Sequence, residues 1–140
     1  MKAKTRFSIL IISMSFLFFS CEEIATDDPR TIYIGMWDVV ENSGIFGSQY
    51  YEAEIFATSS DESILSIANF FGLGTWIEIE AEINDDVLII PFQTIEGYEI
   101  VGQGQISSNK KIIDFAFTVE EVATTKSTYS EEVTAVFTKQ

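Results

Sequence analysis

The chain contains no histidine. This removes the usual general base, the commonest transition-metal ligand and every Ser-His or Cys-His arrangement. Cysteine occurs once, as Cys21, so it has no partner within the chain. The eight glycines form neither a phosphate-cradling loop nor a dinucleotide fingerprint. Bases are scarce, with 8 Lys and Arg against 22 Asp and Glu, a formal charge of −14. A surface of that sign repels phosphate backbones and anionic headgroups, which argues against nucleic acid as a partner. Helical periodicity never persists beyond about a turn. Carboxylates are left as the abundant catalytic residue type.

Composition breaks sharply after residue 20. Lys2, Lys4 and Arg6 precede an apolar stretch of 14 residues ending at Ser20, and no acid appears before Glu22. A basic start, an apolar core and a small residue at the break describe a signal peptide over residues 1–20. The run is shorter than the ~18 residues of a spanning helix. Leu17-Phe18-Phe19-Ser20-Cys21 resembles a bacterial lipobox. That resemblance implies acylation of Cys21 as the mature N-terminus and anchorage in a membrane through the lipid, each buried methylene contributing ~0.8 kcal/mol. Glu22 and Glu23 resemble the signal that sends Bacteroidota lipoproteins to the cell surface. The implied location is therefore the bacterial outer membrane, with the body facing outward. Cleavage removes three bases and no acid, leaving 5 against 22 and a charge of −17 before the termini are counted. Residues 21–31 read as a lipidated start and a polar tether.

From residue 32 the grammar is that of strands. Ile77, Ile79, Ala81 and Ile83 alternate with Glu78, Glu80 and Glu82, which gives one apolar and one acidic face. Asn84-Asp85-Asp86 turns the chain, and 87–90 returns as a second strand closed by Pro91. The same pattern marks strands at 33–41, 48–58, 63–69, 98–106, 111–119 and 129–138. In the first of these Gly35, Trp37 and Val39 share a face; in the second, Tyr51, Ala53, Ile55 and Ala57 do. Most links are about three to six residues long, which suits an up-and-down meander better than Greek-key crossings. Closure would remove the exposed edges of an aliphatic-rich sheet. Gly102 and Gly104 share a face, where missing side chains permit the bending a small barrel needs. The expected fold is all-β, an eight-stranded antiparallel up-and-down barrel over residues 32–140.

Gly35-Met36-Trp37 in the first strand resembles the Gly-X-Trp of lipocalins and their calycin relatives. The chain is thereby similar to the small lipocalin-like lipoproteins of Bacteroidota. The resemblance implies that Trp37 packs across the closed end of the barrel. The family's Thr-Asp-Tyr motif and the basic residue of its last strand have no clear counterpart in the sequence.

Chemistry finds little support. Glu78, Glu80 and Glu82 stand ~7 Å apart because alternate strand residues always do, and a wetted face gives no desolvation to raise a pKa. Asp61-Glu62 and Asp85-Asp86 lack the spacing of a calcium loop and suit turns. The expectation is a protein that is not an enzyme and holds no metal or cofactor. Aromatic content points instead to binding. Trp37, Tyr51, Tyr98, Phe115 and Phe117 face inward and are the candidate ligand-binding residues, while Phe46, Phe70, Phe71 and Trp76 lie near turns and could line a mouth. A hollow barrel would take a small hydrophobic or amphipathic ligand. A barrel filled by its own side chains would instead be a surface module contacting a protein or glycan. Tight packing with exposed loop aromatics would favour the second.

Overall fold

Strict alternation needs a surface with two unlike sides, and a closed barrel supplies one. The computed structural model describes residues 28–122 and 129–140. The proposed signal peptide, Cys21 and the tether up to residue 27 lie outside the described residues. Eight strands follow in order: β1 (Gly35–Ser43), β2 (Gly47–Phe56), β3 (Ile64–Ala68), β4 (Glu78–Asn84), β5 (Val87–Ile95), β6 (Tyr98–Ile106), β7 (Ile112–Glu121) and β8 (Ser130–Lys139). Each pairs antiparallel with the next, and β8 pairs back on β1. The expected eight-stranded up-and-down barrel is the fold.

The inner faces carry Ile, Val, Leu, Phe and Ala, and form one continuous core. In β4, Ile79 and Ala81 are buried between exposed Glu78, Glu80 and Glu82, as the alternation dictates. Each fully buried large apolar side chain contributes about 1.5–3 kcal/mol relative to exposure.

Several strand boundaries differ from the expectation. Pro91 does not close β5; the strand runs on to Ile95, with an irregularity in register between Ile90 and Gln93. Proline cannot donate to a ladder, and the bulge accommodates it without ending the strand. The β4–β5 ladder stops at Glu82–Ile89. Past that point the Gln93 side chain substitutes for backbone pairing, accepting from Glu80 N and donating to Glu80 O, both at 2.9 Å. Likewise β1 starts at Gly35, and Tyr33 belongs to a cap instead. Ala57 falls just beyond β2 and is exposed.

That cap shuts one end of the barrel. A 3-10 turn, Pro29–Ile32, precedes β1. Its Arg30 binds the Asp28 carboxylate at 2.7 Å and donates to Ser59 O at 2.8 Å, so the last tether residues dock on the folded body. Tyr33 is fully buried and donates to Asp85 O at 3.2 Å; burial pushes its phenol up to about 12. Trp37 is also fully buried, its Nε1 donating to Tyr33 O at 2.8 Å. Lys139 on β8 stands 5.3 Å above the Trp37 ring and donates to Ile32 O at 2.9 Å. Only closure of β8 on β1 brings Lys139 to Trp37.

β6 and β7 approach each other at the glycine pair. Gly102 faces Phe117 and Gly104 faces Phe115. A Cβ at Gly102 would lie 2.4 Å from Phe117 Cβ, and one at Gly104 would lie 2.4 Å from Phe115 Cε1. The missing side chains are therefore the space in which two phenylalanines sit, as well as a place to bend.

Candidate ligand-binding site

The opposite end of the barrel is closed differently, by a plug. β3 has only five residues, and the chain then turns inward as Phe70–Gly72. Phe70 enters the lumen, its ring 4.7 Å from Phe117, 5.6 Å from Phe115 and 6.2 Å from Phe137. Phe71 sits above it, 6.1 Å from Phe117, 5.8 Å from Tyr98 and 6.2 Å from Phe46. These tilted and edge-on contacts match the geometry that aromatic quadrupoles prefer.

Backbone conformation sets the plug apart. Asn69 and Phe71 have φ of 59° and 58°, followed by Gly72 at 65° and Gly74 at 124°. Asparagine and glycine tolerate the left-handed region, whereas a bulky phenylalanine there is strained by ~1–2 kcal/mol. Asn69 holds the turn from both sides, donating from Nδ2 to Glu52 O at 2.7 Å and accepting from Gly74 N at 2.8 Å. The strain is local, and two side-chain hydrogen bonds from one asparagine offset it.

Beneath the plug lies a buried acid. Glu41 continues the inward face of Trp37 and Val39 on β1 and is fully buried. Its Oε2 accepts from the Tyr51 hydroxyl at 2.5 Å. Its Oε1 has no hydrogen-bond partner among the described residues. Burial pushes the Glu41 carboxyl above the ordinary carboxylate range; the Tyr51 hydrogen bond opposes this, and the nearby charge of Glu131 adds to it. Tyr51 is driven far up by its own burial and by the Glu41 charge. A buried oxygen without a partner costs about 1–3 kcal/mol. Glu131 is otherwise engaged, accepting from Tyr129 Oη and from Ile45 N.

Of the five candidate residues, four meet at the plug. Phe115 and Phe117 pack on Phe70, Tyr98 packs on Phe71, and the Tyr51 ring lies beside Gly72. Trp37 does not join them, because it belongs to the capped end. Of the expected mouth residues, Phe46 and Phe71 are at the rim, Phe70 is inside, and Trp76 projects into solvent at 82% exposure. The lumen around Phe70 is packed. Two surface depressions, one across β6 to β8 and one across β1 and β2, are lined largely by outward-facing side chains of the wall. Glu41 and the plug escaped the sequence reading. Alternation from Trp37 through Val39 carried the signal for Glu41, since the same period puts an acid on the apolar face.

The remaining acids have plain duties. Glu78, Glu80 and Glu82 are exposed on the outer wall. Asp61 accepts from Ser63 N at 2.9 Å, and Asp86 binds Lys110 at 2.5 Å, so both organise turns. No group of three or more acids placed to hold a metal ion occurs among the described residues.

No family model matches this chain, and no curated protein does. Among solved structures, it is similar to a redesigned β-barrel, b11L5F_LGL, with a TM-score of 0.52 and 13% identity over 79% of this chain and 93% of that one. It is also similar to EF1p2_mFAP2b bound to DFHBI, with a TM-score of 0.56 and 12% identity over 79% of this chain and 95% of that one. At such identities the likeness is one of fold.

Proposed function

We propose that this protein is a non-catalytic, lipid-anchored barrel of the bacterial outer membrane, facing the cell surface and taking up a small hydrophobic or amphipathic ligand in place of its own plug. One observation carries the reading. The lumen is filled from the mouth side by Phe70, a side chain on a short, strained connector rather than on a strand. A strand residue could not leave without breaking the wall, whereas a connector can swing out while the eight-strand ladder stays closed. The fold supports the reading too, since EF1p2_mFAP2b has been seen bound to DFHBI. The lipobox-like segment at Cys21 and the acids after it support the anchor and the surface location.

A second reading has its own observation. Ile45, Phe46 and Trp76 are exposed on mouth-side loops above a packed lumen, which suits a solid module contacting a protein or glycan. Native mass spectrometry of the purified protein, with and without incubation in envelope lipid extract, separates the two. Uptake requires a reproducible added mass that is lost on denaturation, and more of it in Phe70→Ala, which empties the plug position. A bare mass in both proteins, before and after incubation, would establish the solid module. The anchor is tested separately by metabolic labelling with an alkyne fatty acid, which Cys21→Ala should abolish.

A further inference from the structure

Resting on the uptake reading, we propose that Glu41 is the polar anchor of the site and that the ligand class is an amphiphile with a protonated amine head on an apolar body. The inner wall at the plug is mostly apolar and aromatic; Gln49 beside Gly72 and Glu131 near Glu41 add polar groups towards the mouth, and Glu41, bonded to Tyr51, is the one fully buried acid among the described residues. Tyr51 Oη already donates to Glu41 Oε2, which leaves Oε1 as an acceptor with nothing to accept from among the described residues. An acceptor in that position is completed by a donor, and a charged donor makes the stronger hydrogen bond to a carboxylate.

The charge distribution selects the sign. Arg30, Lys110, Lys111 and Lys139, the bases among the described residues, all lie at the capped end or on loops adjoining it. The mouth carries Glu96 in the β5–β6 turn, Glu120 and Glu121 at the end of β7, and Glu131 beside Glu41. An anionic head meets repulsion on approach and a second acid on arrival, while a cation is attracted at both stages. Apolar walls supply affinity without discrimination, so head-group selectivity falls to Glu41. Entry of the head beside Oε1 needs the Phe70–Gly72 connector displaced, because Tyr51 lies directly under Gly72. The ligand's apolar body then occupies the ground that Phe70 leaves against Phe115, Phe117 and Phe137.

The test compares 4-phenylbutylamine with 4-phenyl-1-butanol, which share an apolar body and differ in head group. Each is titrated calorimetrically into the full-length protein in lipid nanodiscs, with empty nanodiscs subtracted. The amine should bind at least about tenfold tighter to the wild type, and Glu41→Gln should bring the two within about twofold while alcohol binding persists. Glu41→Asp, which withdraws the carboxylate by one methylene, serves as a second variant and should lose most of the preference. Equal binding of amine and alcohol by the wild type would overturn the assignment while leaving uptake intact. An amine preference that survives in Glu41→Gln would also overturn it, locating selectivity in the general field of the mouth. Binding of neither compound would overturn uptake itself, and this proposal with it.

Discussion

Replacing Gly102 by alanine should damage the barrel more than the same change two residues later, and the distances say why. The new Cβ at residue 102 would meet Phe117 Cβ at 2.4 Å, Phe117 Cα at 2.5 Å and Ala116 O at 2.6 Å. Carbon atoms in contact prefer about 3.5–4.0 Å, and two of these three atoms are β7 backbone. No rotamer change relieves such an overlap. β6 and β7 would have to part by about an ångström, straining the ladder that runs from Tyr98–Glu121 to Ile106–Ile113. Overpacking alone costs about 1–3 kcal/mol, and each ladder hydrogen bond weakened adds up to ~1 kcal/mol. Against this, alanine restricts the unfolded chain, a gain of ~0.4–1 kcal/mol. The net expectation for Gly102→Ala is a loss of about 3 kcal/mol. At Gly104 the atoms met are Phe115 Cε1, Cδ1 and Cζ, at 2.4, 2.5 and 2.8 Å. A ring can tilt where a backbone cannot, although Phe70 and Phe137 limit the tilt. About 1–2 kcal/mol is expected there. Urea unfolding followed by tryptophan emission measures both, and each kcal/mol corresponds to about 4–8 °C in a domain of this size. A loss below 1 kcal/mol for Gly102→Ala, or a greater loss for Gly104→Ala, would refute the steric account.

Three further expectations follow from the polar contacts. Glu41→Gln should stabilise the protein at neutral pH: the raised folded-state pKa means the ionised carboxylate is disfavoured there, so the wild type regains stability as pH falls and the variant's advantage shrinks to nothing below the ordinary carboxylate range; denaturation midpoints across pH 3–8 read this out, and an advantage that grows towards acid would contradict it. Lys139→Met should cost about 1–2 kcal/mol through loss of the Trp37 stacking and the Ile32 hydrogen bond; with the exposed Trp76 replaced by phenylalanine, the emission of Trp37 should shift to the red, and unchanged emission with unchanged stability would dismiss the clamp. Gln93→Ala should release the Glu80 amide, so its hydrogen exchange should accelerate by tenfold or more while β6–β7 amides hold their protection; equal protection at Glu80 would show that the seam closes without the glutamine.

The inward residues were legible because alternation is local. Ile79 and Ala81, or Phe115 and Phe117, announce a buried face through their neighbours alone, and short links between such segments leave a meander as the economical connection. The same logic would have reached Glu41 had the period been followed through an acid. Phe70 was less legible. A Phe-Phe-Gly between two strands reads as a link, and nothing in its neighbours says that the link folds into the lumen.

Period-two patterning, turn residues and the Gly102–Gly104 pair were enough for the sequence by itself to determine an eight-stranded, up-and-down, two-faced wall. Tertiary structure alone decided what fills it and what closes it. Lys139 meets Trp37 because β8 returns to β1, at a separation of about a hundred residues that no local signal spans. Gln93 mends a seam that exists only once Pro91 has bulged the strand. Phe70 occupies the lumen because β3 is too short to carry the wall to the mouth. Strand pattern is written in adjacent side chains, whereas occupancy of an interior depends on the sum of all volumes pointing into it.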